Sequence, residues 1–151
     1  MIITRQMRPS DLIGVYALMN TNLDGSFSME TIEYFGTMWP EGQFVAEDLF
    51  GNIRGALTGA RMSNGRASIA LFAVDSGYRG QGIGSHLLRE FRMKCFMQGY
   101  TEIQLELRTT NISARTFYNR HGFVISETVP DLYGPGEDGY RMVAKVNHVS
   151  S

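Results

Sequence analysis

The apolar residues of this chain follow two periods that trade places along its length. In "IGSHLLREFRMKCF", Ile83, Leu87, Phe91 and Cys95 stand four apart with Leu88 beside them, the stripe of an amphipathic helix, and Gly99 marks its end. In "TEIQLELR" the period is two, with Ile103, Leu105 and Leu107 on one face of a strand and Glu102, Gln104 and Glu106 on the other. The same two rules read the rest. "MIITRQM" is a first strand, "RPSDLIGVYALMN" a helix entered at Pro9 or Ser10 with Leu12, Val15, Tyr16, Leu18 and Met19 on its stripe, and "SMETIEYFGTMW" a shorter helix entered at Ser28. "QFVAED" and "IRGALTGARM" form a hairpin about Gly51 and Asn52, and "RASIALFAV" is a fourth strand after the Asn64-Gly65 turn. "NISARTFYNRHG" is a helix capped near Thr110 or Asn111 and stopped by Gly122. "FVISETV" and "GYRMVAKV" close the chain as two strands joined by "PDLYGPGED". Strands and helices intermix, with hairpins at both ends, so the class is α/β with a mixed rather than fully parallel sheet.

Composition narrows the function classes. At 151 residues the chain is expected to form a single domain over 1–151, and 43% hydrophobic with 19% charged residues is ordinary globular composition. A net charge of −1 supplies no basic field for nucleic acid, and no apolar run is long enough to span a bilayer. Cys95 is the single cysteine, so no internal disulfide can form, and the expected location is the cytoplasm. Neither the three histidines nor Cys95 has metal-ligand spacing, so no metal is expected.

The most informative stretch is "AVDSGYRGQGIGSHLL", in which Gly80, Gly82 and Gly84 alternate at a helix entrance, with Arg79 just before them and no acidic residue from there to Glu90. A dinucleotide fingerprint needs G-x-G-x-x-G and a ribose-binding acid, and a Walker loop needs a Lys-Ser/Thr pair; neither spacing is present. "RGQGIG" does match R/Q-x-x-G-x-G/A. In that pattern successive main-chain N–H groups at a helix N-terminus form an anion-binding concavity, and absent side chains let phosphate oxygens approach.

Together with "LELRTTNISARTFYNRHGF" downstream, this loop resembles the GNAT acetyltransferase superfamily. "WPEGQFVAED", "YRGQGIGSHLL" and "YGPGEDGYRM" are similar, more narrowly, to the ribosomal-protein and archaeal N-terminal amino-acid acetyltransferases. The resemblance covers nearly all of the chain. It implies the GNAT fold, a mixed sheet of about seven strands with four helices, splayed between the fourth and fifth strands. It implies acetyl-coenzyme A as acetyl donor, its pyrophosphate held by Arg79, Gly80, Gln81, Gly82, Ile83, Gly84 and Ser85. The pantetheine arm would pair with Phe72, Ala73 and Val74, and a main-chain N–H near Val74 would hold the oxyanion.

In such enzymes a free amine attacks the thioester directly, through a tetrahedral intermediate that expels the coenzyme A thiolate. The resemblance assigns Glu106 as the base that takes the amine proton and Tyr118 as the acid that protonates the sulfur. A phenol of pKa about 10 is still a donor at neutral pH. Asn111 matches a family asparagine that contacts the cofactor or its bound water, and equally fits a helix cap. Phe27 and Tyr133 are expected to contact substrate. Where relatives carry a glutamate and a tyrosine in the first substrate-facing loop, this chain has Gly25 and Phe27, and Leu132 replaces one tyrosine of the family's Tyr-Tyr pair. His86, His121 and His148 are expected to be surface or packing residues, and Cys95 a small core hydrophobe.

The chemistry of the amine favours a protein N-terminus. With pKa values of about 7.7–8.0 for an α-amine and about 10.4 for lysine, roughly a tenth of α-amines are neutral at pH 7 against well under a thousandth of lysines, a gap of about 3 kcal/mol. One ordinary carboxylate suits the easier proton. The expected partners are protein or peptide N-termini, with no nucleic acid and no membrane; a ribosome or an auxiliary subunit is left open. The competing readings are a lysine or small-amine acetyltransferase, such as one acting on polyamines or amino acids, and a non-catalytic acetyl-coenzyme A-binding module.

Overall fold

The structure, a computed structural model, describes residues 1–147, so His148 lies outside the described residues. In chain order it contains β1 (Ile3–Gln6), α1 (Leu12–Asn22), α2 (Met29–Met38), β2 (Gln43–Glu47), β3 (Ile53–Arg61), β4 (Arg66–Val74), α3 (Ile83–Met97), β5 (Glu102–Arg108), α4 (Ile112–Arg120), β6 (Val124–Val129) and β7 (Gly139–Lys145). The seven strands form one mixed sheet in the order β1-β2-β3-β4-β5-β7-β6. β1–β2, β2–β3, β5–β7 and β6–β7 run antiparallel, while β4 and β5 are parallel, with α3 in the connection between them.

The chain divides into two compact units, Met1–Arg61 with Ile69–Lys94, and Met62–Ser68 with the residues from Cys95 onward. β4 contributes to both. Its ladder with β5 covers Arg66↔Glu102, Ala67↔Ile103 and Ser68↔Gln104, all in the second unit, and Ile69–Val74 belongs to the first.

In the first unit, Val15, Leu18 and Met19 of α1, Ile32 of α2, Val45 of β2, Ala56 of β3 and Ala73 of β4 form one buried cluster, with Phe27 and Leu71 packed against it. These α1 residues are the ones its stripe selects. The helix itself starts later than expected, because Pro9–Asp11 form a 3-10 turn. Ser10 does not cap it; instead the Asp11 carboxylate accepts the Arg8 N–H at 2.7 Å and a two-pronged bond from Arg5 at 2.7 and 2.9 Å. Ser28 caps α2 as expected, accepting the Thr31 N–H at 3.1 Å, an interaction typically worth about 1 kcal/mol.

In the second unit β5 buries Ile103, Leu105 and Leu107, as its alternation predicts, and β7 buries Met142, Val143 and Ala144. β6 is the edge strand and is exposed along nearly its whole length, with a register shift between Ile125 and Glu127 that blunts the edge.

Candidate functional site

The glycine cluster lies in the first unit, where β4 leads through the 3-10 turn Ser76–Tyr78 into α3. Gly80 and Gly82 both have φ of +80°, left-handed backbone that only glycine adopts without strain. A Cβ at either position would meet nothing within 4 Å, so no other part of the chain crowds these two residues. Gly84 is different, since it sits in the first turn of α3. The Gly82 carbonyl accepts the His86 N–H at 3.0 Å, which makes Gly82 the residue at which helical bonding begins. The first amides of a helix have no intrahelical acceptor, and no acidic side chain stands in the first turn of α3 to take their place. Left-handed glycines with open space beside them, at a helix start that carries no acidic side chain, fit a diphosphate. Arg79, exposed beside them, donates from Nε to the Val74 carbonyl at 3.2 Å, which ties the loop to the end of β4. Phe72 and Val74 are half-buried and Ala73 is buried.

Phe27, in the α1–α2 connection, is also in this unit. Its N–H donates to Asn20 Oδ1 at 2.9 Å and its carbonyl accepts from Asn20 Nδ2 at 3.0 Å, so one side chain fixes the loop on both sides. Gly25 just before it has φ of +93°.

The second unit brings Glu106, Tyr118 and Tyr133 together. Glu106 stands opposite Arg141 in the β5–β7 register, and Arg141 stands opposite Glu127 in the β6–β7 register. Arg141 Nε donates to Glu106 Oε2 at 3.0 Å, and its Nη1 bonds Glu127. Gln104 Nε2 donates to the same Glu106 Oε2 at 3.0 Å. Among the described residues no donor reaches Oε1. Tyr133 lies close enough to feel this carboxylate: burial first, and then the Glu106 charge, push its phenol pKa up, with Arg108 opposing. The Arg108 guanidinium lies over the Tyr133 ring, 4.5 Å from its centroid, and is itself bonded to Glu137 in the same loop.

Tyr118 is half-buried on α4, with its ring 5.3 Å from that of Phe117 and 5.4 Å from that of Phe123. Burial, and secondarily Tyr133, raise its pKa well above the usual phenol value, so the phenol keeps its proton at ordinary pH. Asn111 is the cap of α4, its Oδ1 accepting from the Ala114 N–H at 3.2 Å.

His86 is exposed, and His121 packs on Phe117 at 4.6 Å between centroids. Cys95 is buried in α3. No group of three or more His, Cys, Asp or Glu side chains that could hold a metal occurs among the described residues, and none of their helices is long and apolar enough to cross a membrane.

Three functional neighbours escape a reading of sequence alone: Arg141, Arg108 and the arginine that engages Gln104, Arg66. The alternation of β5 gave the face but not the cross-strand partners, which depend on register.

The sequence profile of the Acetyltransferase (GNAT) family matches residues 12–123. The chain belongs to the GNAT acetyltransferase family. Membership makes this domain an acetyl-coenzyme A-dependent N-acetyltransferase. Its relatives include N-alpha-acetyltransferase 30 of Xenopus laevis, 33% identical over 131 residues, of which the chain spans 48% while 85% of its own length is matched. Among solved structures, Ard1 from Thermoplasma volcanium superimposes with a TM-score of 0.90 at 33% identity, covering 95% of this chain and 97% of that one. Arabidopsis thaliana Naa50 in complex with the bisubstrate analogue CoA-Ac-MVNAL superimposes with a TM-score of 0.82 at 25% identity, covering 94% and 97%. The GNAT fold is thus shared along essentially the whole chain.

Proposed function

We propose that this GNAT domain transfers the acetyl group of acetyl-coenzyme A to the α-amine of a protein N-terminus. Relatives named for that activity support the substrate class. Acetyl-coenzyme A supplies the activated acetyl thioester. The residues of this chain do the rest. The amides and left-handed glycines of Arg79–Ser85 hold the diphosphate, and the Phe72–Val74 end of β4 offers its main chain to the pantetheine arm and the oxyanion. Glu106 takes the proton of the incoming ammonium, directly or through water, and Tyr118 gives one to the departing sulfur. Asn111 spends its carbonyl oxygen on the α4 cap, which leaves its amide nitrogen to face the cofactor or a water. Phe27 and Tyr133 contact the peptide.

The single observation that carries this reading is the pairing of Glu106, one carboxylate oxygen open, with a phenol kept protonated by burial in the same compact unit. A coenzyme A release assay tests it with peptides beginning Ser, Ala, Met-Leu and Met-Glu, against polyamines, free amino acids and an N-terminally blocked lysine peptide. Turnover on one or more free N-termini is the expected result. Preferential turnover of lysine or small amines would replace the substrate class, and coenzyme A binding without release on any substrate would replace the enzyme by a binding module.

A further inference from the structure

One face of the second unit carries an unbroken hydrogen-bonded row. Arg66 of β4 donates from Nε to Glu102 at 3.1 Å and from Nη1 to Gln104 Oε1 at 2.9 Å. A guanidinium has only donors, so the Gln104 amide must turn its oxygen toward Arg66 and its NH2 along the strand. That NH2 reaches Glu106 Oε2 at 3.0 Å, where Arg141 Nε arrives from β7 at the same distance. Arg141 is held in turn by Glu127 on β6. Two donors from two strands converge on one oxygen of one carboxylate.

An ion pair that served only the sheet would be satisfied by spreading donors over both oxygens. Here Oε1 accepts nothing among the described residues, on a side chain that is 29% exposed and electrostatically coupled to Tyr133. We propose that Arg141 is a positioning residue, which together with Gln104 pins Glu106 by Oε2 and thereby presents Oε1 to the amine. The inference rests on the reading of Glu106 as base and names what makes that base rigid. A glutamate left to itself samples many rotamers, and a base must sit within hydrogen-bond reach of the proton it takes. Arg66 acts one step further back, by setting the orientation of the Gln104 amide.

The experiment measures kcat and both KM values for the wild type, Arg141→Met, Arg141→Lys, Gln104→Met, Glu106→Gln and the double variant Arg141→Met/Glu106→Gln. Arg141→Met is expected to lower kcat by about tenfold to a hundredfold, the scale of a misplaced catalytic group, with KM for acetyl-coenzyme A unchanged. Arg141→Lys keeps one donor and recovers part of the loss; Gln104→Met shows a smaller loss of the same kind. In the Glu106→Gln background, Arg141→Met has nothing left to position and lowers kcat no further. Carboxyl carbon NMR on protein labelled at glutamate gives a second readout, in which the Glu106 signal, identified by its absence from Glu106→Gln, shifts in Arg141→Met. Wild-type kcat in Arg141→Met overturns the proposal, as does an equal loss in both backgrounds, which would mark Arg141 as structural. Full turnover by Glu106→Gln alone would instead remove the base assignment, and this proposal with it.

Discussion

Tyr133 lies over Gly139 so closely that a Cβ built on that glycine would stand 3.1 Å from Tyr133 Cε2, and 2.6 Å from Cδ2 of the neighbouring Leu132. The last hairpin loop therefore rests on the missing side chain at the start of β7. Gly139→Ala must push Leu132 and Tyr133 outward, while β7 itself keeps its ladder. The expected outcome is a KM for peptide raised by up to about tenfold, a shift worth about 1.4 kcal/mol, with the KM for acetyl-coenzyme A unmoved. Equal changes in both constants would show that this loop does not serve the peptide.

Gly82→Ala addresses the other compact unit. A Cβ there touches no protein atom, so the substitution adds only the strain of a left-handed alanine, about 1–2 kcal/mol. The fold survives with a lowered melting temperature. Calorimetric titration with acetyl-coenzyme A is expected to show at least about tenfold weaker binding, because the turn relaxes away from the shape that aims its amides. Wild-type affinity would mean the diphosphate is held elsewhere.

Glu106→Gln and Tyr118→Phe test the chemical step. Each is expected to lower kcat by about a hundredfold or more, the usual contribution of a positioned acid or base, while retaining acetyl-coenzyme A affinity. Pre-steady-state mixing with peptide separates the loss from any change in product release.

The raised pKa of Tyr118 sets the sign of a pH effect. Its protonated form is favoured in the folded protein, so the phenol stays a donor past its ordinary value of about 10. The kcat profile is expected to show no descending limb from this residue below about pH 10. A limb near pH 9 that disappears in Tyr118→Phe would contradict the environment described for it.

Stability responds to acid through Asp48, whose carboxylate closes the β2–β3 turn. Burial opposes its charge, but the amides of Asn52 and Phe50 and the Arg54 guanidinium outweigh it and bring the pKa down to about 2. A lowered folded-state pKa means that this contribution is complete above the unfolded value of about 3.9 and is lost as pH falls through 2. Urea midpoints taken at pH 5 and pH 2.5 should fall further for the wild type than for Asp48→Asn.

Much of this architecture was legible in the chain. Each strand and helix lies where apolar period and punctuation place it, the entrance of α1 apart, because those signals are local: Ser28 and Asn111 cap the helices they precede, and Gly99 and Gly122 lie just past the ends of α3 and α4 with φ of +85° and +86°. What escaped is what depends on register. Alternation put Gln104 on the polar face of β5, yet it is buried, because Arg66 covers it from a strand 38 residues earlier. Arg141 reads as one more exposed strand residue until β7 is laid beside β5. The glycine cluster was legible as a ligand loop, but its two left-handed residues, distinct from the helical Gly84, become apparent only from the backbone.

Gly25 carries a last consequence. Its φ of +93° means that the bend ahead of Phe27 is made of a conformation closed to side chains with a Cβ. Reinstating the acidic residue that the resembled enzymes carry there is not a one-codon edit, since a glutamate would first have to refold the bend that Asn20 staples in place. A change at this position therefore has to rebuild the whole connection over residues 23–28 rather than one side chain.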